Sequence, residues 1–369
     1  MGSIPGVSII VPARNEEASL GACLESLMAQ TGATFEIIVV DDDSRDGTRA
    51  IAQSFAGVRV ISPGPLRENA AGKTSTGENW TGKNNAVIAG AKEARAKWLL
   101  FTDADTVHRP GSLAQALAEA TRERADMLSY SPGQVAVTFS ERAVMPIAFA
   151  ELAAQYPPQK VREQSSEIVA ANGQYILVRR AAYDDVGGHA AVATEILEDV
   201  ALARLFHNAG HRIYFRYGED AVRTRMYRNW AQLREGWTKN LALLFPHPEW
   251  RAAQSMFLWL LAWAALIVAV SGAASRHFVW IAFAALWLFV YWRIRRAHFT
   301  PANNLIAIAF GLPMFAYLLL RSKKAHASGH VAWKGRAYNV GTRSKSMYEA
   351  MPCPKPISRI ENQELRAKS

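Results

Sequence analysis

The sequence predicts an α/β protein: a mostly parallel, doubly wound sheet with flanking helices, followed by a C-terminal α-helical membrane module. Three observations predict it. Short apolar runs alternate with helical stretches through roughly the first 240 residues, the rhythm of βα units. Three of those runs end directly in acidic or polar clusters. The composition then shifts abruptly near residue 252, beyond which long stretches are nearly free of charge.

The elements follow in order. Val7–Val11 reads as a strand, ending at Pro12-Ala13-Arg14-Asn15-Glu16, and Glu17–Gln30 as a helix with Leu20, Leu24 and Leu27 on one face. Phe35–Val40 is a second strand, closed by Asp41-Asp42-Asp43-Ser44, and Asp46-Gly47-Thr48 opens a helix capped by Asp46 or Ser44. Val58–Ile61 is a third strand, 62–81 a polar loop, and Lys83–Lys97 a helix. Trp98–Thr102 is a buried strand. Met127–Tyr130, Tyr175–Val178 and Arg212–Phe215 are further strands, and Glu195–Asn208 is a helix with Thr194 as its cap and Gly210 after its end.

The membrane module rests on Met256–Val270, Phe278–Trp292 and Leu305–Leu320. These runs lie at or below the length of about 20 residues that spans a bilayer. Tryptophans recur through the first two runs, and basic clusters at Arg293–Arg296 and Arg321–Lys324 flank them. The expected division is therefore 1–245 cytosolic catalytic domain, 246–325 membrane module and 326–369 basic tail. No signal peptide is evident, so the first elements are expected in the cytosol. The net charge of +10 comes with no nucleic-acid module and suits anionic substrates and lipid headgroups. Only two cysteines are present, far apart, which fits a reducing compartment.

Asp103-Ala104-Asp105 carries most of the chemistry. Residues i and i+2 of an extended chain point the same way, so two carboxylates converge at a strand's carboxyl end, where open α/β sheets bind ligands. Such a pair calls for a cation, and carboxylate oxygens suit Mg2+ or Mn2+, which also bind substrate phosphates. Asn15-Glu16 and Asp41-Asp42 end neighbouring strands and can meet the same nucleotide sugar through ribose and base. Lys83 opens a helix, where ammonium and free amides attract phosphate. The preceding Gly77–Lys83 stretch resembles a P-loop, but Asn84 stands where Ser or Thr would bind magnesium. Glu198-Asp199 places carboxylates in a helix's first turn, where one can act as general base. Asn172-Gly173-Gln174 precedes a strand and can line an acceptor cleft. Trp237, with Arg234 and Lys239 nearby, can steady a diphosphate or anchor the chain at an interface.

The order Pro12-x-Arg14-Asn15-Glu16, Val40-Asp41-Asp42-Asp43-Ser44-x-Asp46-Gly47-Thr48, Gly82-Lys83, Asp103-Ala104-Asp105 and Glu198-Asp199 resembles family 2 glycosyltransferases with the GT-A fold. Glu78–Lys83, Asn172–Gln174, Val186–His189 and Trp333-Lys334-Gly335-Arg336-x-Tyr338 are similar to membrane enzymes of lipid glycosylation, the carotenoid-acid (diaponeurosporenoate) and hopanoid-associated glycosyltransferases. The resemblance implies uridine and ribose contacts at Glu16 and Asp42, the sugar nucleotide near Asp103, a metal on Asp105, and Asp199 as base of an inverting transfer. Two positions depart from the pattern. Asp43 stands where the family often has Gly. Gly236 stands where the Gln-x-x-Arg-Trp element of processive synthases has Arg.

The resulting expectation is transfer of one sugar from a UDP-sugar to a lipid acceptor of carotenoid, hopanoid, sphingoid or polyprenyl type, at the cytoplasmic face of the inner membrane. A processive polysaccharide synthase and a non-catalytic membrane scaffold are the alternatives. Gly311 and Pro313 are expected to break the third hydrophobic segment, making it re-entrant or interfacial with a cytosolic tail.

Overall fold

The computed structural model describes residues 5–64, 82–271, 276–333 and 336–339. Most of the 62–81 loop, including Gly77–Thr81, and nearly all of the basic tail lie outside the described residues.

Ten strands build the first two sheets: β1 (Val7–Ala13), β2 (Phe35–Asp41), β3 (Val58–Ile61), β4 (Trp98–Thr102), β5 (Thr106–His108), β6 (Met127–Ser131), β7 (Gly133–Gln134), β8 (Tyr175–Arg179), β9 (Ile213–Tyr217) and β10 (Val222–Thr224). The main sheet runs β3-β2-β1-β4-β8-β6-β9, and β5-β10-β7 form a small second sheet. β1, β2, β3 and β4 are parallel, as are β6 and β9, whereas β8 is antiparallel to both neighbours. The sheet is thus mixed α/β and mostly parallel. The reversal of β8 was not visible in its sequence, because an apolar run carries no record of its direction.

Side chains alternate across the sheet, as strand periodicity requires. Ile10, Ile38, Val40, Leu99 and Phe101 face one core, with α3 (Gly82–Glu93) and α8 (Glu198–Asn208) against them. Val7, Ile9, Val11, Ile37, Val39 and Leu100 face the other, under α1 (Leu20–Met28), α2 (Thr48–Ser54) and α4 (Ser112–Arg122). Each fully buried aliphatic side chain contributes about 1.5–3 kcal/mol. Gly90 lets α3 sit close to the sheet: a Cβ there would lie 2.5 Å from the Ile10 side chain.

The remaining helices are α5 (Phe139–Gln155), α6 (Pro158–Arg162), α7 (Arg180–Asp185), α9 (Trp230–Leu244), α10 (Pro248–Ser271), α11 (Arg276–Ile294), α12 (Pro301–Ile306) and α13 (Leu312–Ala327). A third core joins Val144 and Ile147 of α5 and Leu233 and Leu241 of α9 to Ile308, Phe315 and Leu319. The expected boundary at 245 therefore does not divide the cores, since α5 and α9 pack with the later helices. Two stretches, Pro248–Val268 and Pro301–Ala327, are long and apolar enough to cross a membrane, and they are 17% and 50% buried.

Gly311 and Pro313 do not break the third segment. α12 continues into α13 through a π-helical turn, Ala307–Gly311. The widened turn lies next to Pro313, where the missing N–H and the ring would disturb regular α-helix. Gly311 packs so tightly on α5 that a Cβ would overlap the Ala143 carbonyl oxygen.

Two helix starts differ from expectation. α8 begins at Glu198 with Leu197 as its cap residue, so Thr194 does not cap it. At α2 the cap residue is Gly47, not Asp46 or Ser44, and Asp46 Oδ1 instead accepts from Thr48 N at 3.0 Å in a turn just ahead of the helix.

Candidate active site

The carboxyl ends of β1, β2 and β4 open on one rim. Because β8 is antiparallel, its leading residues reach that same rim: Thr102 pairs with Tyr175, placing Asn172-Gly173-Gln174 beside Asp103. The amino end of α8 arrives there too. Together they line a cleft of about 320 Å3.

Pro12, Arg14, Glu16, Asp42, Lys83, Asp103 and Asp105 line one part of it, and Asn172, Gly173, Gln174, Glu198, Asp199 and Trp237 another. Two expected residues are not brought in. Asp41 turns away: its carboxylate accepts from Ser44 N and pairs with the Arg49 guanidinium at 3.2 Å, bracing the turn after β2. Arg234 does not line the cleft either; Lys239 of the same helix does. On a helix, Gly236, Trp237, Lys239, Asn240 and Leu244 share a face, and position 234 lies about 120° round from its centre.

Backbone geometry accounts for one departure from the family pattern. Asp43 has φ 58°, in the left-handed region. Glycine enters that region freely, and Asp is among the few other residues that tolerate it.

The Asp103–Asp105 turn is pinned from behind. Thr106 Oγ1 donates to the Asp103 carbonyl at 2.7 Å, and Thr224 Oγ1 to the Asp105 carbonyl at 3.2 Å. Behind them lies buried His108, which burial drives down to a pKa of about 3, so it stays neutral and structural.

Lys83 is the electrostatic hub. Its Nζ lies 3.0 Å from Asp103 Oδ1 and 2.9 Å from Glu198 Oε1. Burial works against its charge, but Asp103 and Glu198 outweigh burial and hold the ammonium well above its ordinary pKa. Burial also opposes ionisation of Glu198; Lys83, and then Lys239, overcome it and hold that carboxyl well below its usual range.

Asp199 behaves oppositely. Burial, and then the adjacent Glu198 charge, push it up to about 6. Its orientation is nonetheless set, since Oδ2 accepts from Gly173 N at 2.8 Å and Oδ1 from Val200 N at 2.9 Å. A carboxylate with a pKa near neutrality, held by two backbone amides in a cleft, is suited to accept a proton.

Among the described residues, no three His, Cys, Asp or Glu side chains form a metal cage. Asp103 and Asp105 nevertheless offer the donor set Mg2+ or Mn2+ takes beside a substrate diphosphate, one or two carboxylates with phosphate oxygens and waters.

The amino half of the site was legible, but several lining residues were not. Phe149, Leu152, Ala153 and Tyr156 form a face of α5, with Tyr217, Met226 and Tyr227 nearby. The i, i+3, i+4, i+7 spacing of the α5 set was the available signal, and it reads equally well as ordinary core. Trp237 is 2% exposed, packs against Phe149 at 5.9 Å and leaves its Nε1 without a hydrogen-bond partner at the cleft wall. Gly236 makes room for Tyr227, whose hydroxyl would lie 2.5 Å from a Cβ at 236.

Comparison with known proteins decides the family. The profile for glycosyl transferase family 2 matches residues 8–187, and that for glycosyl transferase family group 2 matches residues 98–295, more than half the chain. The chain belongs to glycosyl transferase family 2. It is an enzyme that transfers sugar from a nucleotide sugar. Among curated relatives, 4,4'-diaponeurosporenoate glycosyltransferase of Staphylococcus aureus strain MRSA252 is 25% identical over 353 residues, covering 90% of this chain and 88% of the relative. That of strain USA300 is 26% identical over 351 residues with the same coverage. Among solved structures, S. aureus TarS 1-349 in complex with UDP-GlcNAc aligns with 90% of this chain and 98% of its own at 15% identity and a TM-score of 0.44. A Pyrobaculum calidifontis mannosyltransferase in complex with GDP-Man and Mn2+ aligns over 88% and 87% at 16% identity and 0.43.

Proposed function

We propose that this glycosyltransferase moves a single sugar from a UDP-sugar to a lipid hydroxyl or carboxyl at the cytoplasmic membrane face, with inversion at the anomeric carbon. The observation that carries the reading is Asp199: a carboxylate pushed up to about 6, held by two amides at the cleft rim beside Lys83.

Asp199 takes the acceptor hydroxyl proton as the oxygen attacks the anomeric carbon on the face opposite the diphosphate. Where the acceptor is a carboxylate, already ionised at neutral pH, no proton is taken, and Asp199 in its protonated form donates a hydrogen bond that orients it. Arg14, Glu16 and Asp42 hold the nucleoside. Lys83 and Lys239 meet the diphosphate as charge builds on it, and Trp237 Nε1 supplies a further donor. Asp103 and Asp105 would hold Mg2+ or Mn2+, which when bound neutralises the diphosphate and improves it as a leaving group.

Exposed apolar side chains support a membrane site. Phe257, Ile267, Ile281, Leu288 and Phe310 are each at least half exposed, the kind of apolar surface that marks a membrane or partner contact. The S. aureus relatives are named for transfer to 4,4'-diaponeurosporenoate, which supports an acceptor of that kind.

The third hydrophobic segment reads as interfacial, with a cytosolic tail. Arg321 Nε donates to Thr238 Oγ1, Ser322 Oγ to the Thr238 carbonyl, and Gly311 rests on α5, so the segment is tied along its length to cleft-forming helices. A tag placed after residue 345 should be cleaved by protease only in opened cells.

The activity test is UDP release by membranes containing the protein, with UDP-glucose, UDP-GlcNAc and UDP-galactose in parallel, Mn2+ or EDTA, and bacterial lipid as acceptor. EDTA-sensitive release with an organic-soluble labelled product is expected. Release that ignores added lipid, or a growing polymer, would refute the reading.

A further inference from the structure

One wall of the cleft is a pair of parallel helices. Phe149 of α5 meets Trp237 of α9 at 5.9 Å between ring centroids. Seven positions later along each chain segment, the hydroxyl of Tyr156, the residue that caps the end of α5, donates to the Leu244 carbonyl at 3.0 Å. Equal advance along both chains means that α5 and α9 run side by side in the same direction. Seven residues of helix span about 10 Å.

The two ends of this wall differ chemically. At the Trp237 end, Tyr227 packs against the indole at 6.2 Å and feels the Asp105 charge, so this end adjoins the carboxylate turn. At the other end, Tyr156 packs against the sheet core. Between them, Leu152 and Ala153 present an apolar surface to the cleft. A nucleotide sugar has no use for such a wall, since its base, ribose, phosphates and sugar are all met by the polar rim. An apolar chain attached to the reacting hydroxyl or carboxyl does.

We propose that the α5–α9 wall holds the apolar segment of the acceptor next to its reactive group, and that the Tyr156–Leu244 bridge is its end wall, limiting the length of chain admitted. This rests on the apolar-acceptor reading above. The Tyr156 ring supplies the stop, and its hydroxyl holds the ring across the gap between the helices.

The test uses the full-length protein in detergent, labelled UDP-sugar, and a graded series of probes: octanol, dodecanol and hexadecanol with the matching fatty acids. Tyr156→Ala is expected to raise kcat/KM for the longest probes several-fold relative to the shortest. Tyr156→Phe, which keeps the ring, should retain the wild-type order of preference. Ala153→Phe narrows the same wall and should lose the longest probes first, which keeps the proposal testable if Tyr156→Ala does not fold. UDP-sugar binding on the same preparations reports the donor end separately. Chain-length profiles unchanged in both Tyr156→Ala and Ala153→Phe, with donor binding intact, would overturn the end wall alone. Labelling confined to water-soluble acceptors in the wild type would overturn it together with the apolar-acceptor reading.

Discussion

Replacing Asp199 with Asn tests the assignment of the base while changing almost no volume. Asp199 presents one carboxylate oxygen to Gly173 N at 2.8 Å and the other to Val200 N at 2.9 Å. Asn has a single oxygen, so its amide must face one of those two donors, and one charge-assisted bond of about 1.5–3 kcal/mol is lost. Removing a negative charge beside Glu198 offsets part of that cost, so the variant should fold. The catalytic loss is larger: a positioned general base contributes about 10²- to 10⁴-fold, or roughly 3–5.5 kcal/mol of barrier. The wild-type pH profile supplies a second readout. The base works deprotonated, and with Asp199 at about 6 in the free enzyme the acid limb of kcat/KM should fall tenfold per unit below that value, leaving about a tenth of the activity near pH 5. The assay is acceptor-dependent UDP release across this range with a hydroxyl acceptor, alongside calorimetric UDP-sugar binding. Asp199→Asn should retain donor binding, lose at least about 100-fold in kcat and lose the acid limb from its residual activity. A loss below about tenfold, or a wild-type profile flat through pH 6, would refute the reasoning.

Gly236→Arg restores the residue expected in processive synthases, but its Cβ would sit 2.5 Å from the Tyr227 ring and hydroxyl. Displacing a 2% exposed tyrosine from the cleft wall should cost about 1–3 kcal/mol of stability and most of the turnover; wild-type melting and turnover in the variant would contradict the packing of Tyr227 on Gly236. Gly311→Ala drives a methyl into the Ala143 carbonyl. It should lower the apparent Tm in detergent by several degrees, at about 2–4 °C per kcal/mol, and an unchanged melt would show that α13 does not seat on α5 as described.

Much of the rim was legible because its residues come in short clusters at strand ends and a helix start. Pro12–Glu16, Asp42, Lys83 and Asp103–Asp105 each follow a recognisable strand or open a helix, and parallel strands deliver their ends to one rim. Asp41 shows the limit of that reasoning: adjacent strand residues face opposite ways, so of Asp41-Asp42 only one reaches the cleft, and Arg49 retains the other. The α5 side of the cleft was hidden. Phe149, Leu152, Ala153 and Tyr156 form an amphipathic stripe that nothing local distinguishes from core, and only packing of α5 beside α9 turns it into a cleft wall.

By itself the sequence determined the family, the α/β rhythm, the carboxylate turn at Asp103–Asp105 and the apolar character of the last third, since each depends on local order, periodicity or composition. Tertiary structure alone decided the rest. The reversal of β8 brings Asn172–Gln174 to the rim, and the Lys83 bridge holds Glu198 low while burial and the Glu198 charge push Asp199 up. Lys239 replaces Arg234 at the cleft, and α5 and α9 join the later helices in one core. Those outcomes depend on which distant surfaces meet and on the burial and charge that follow, quantities defined only once the chain has folded.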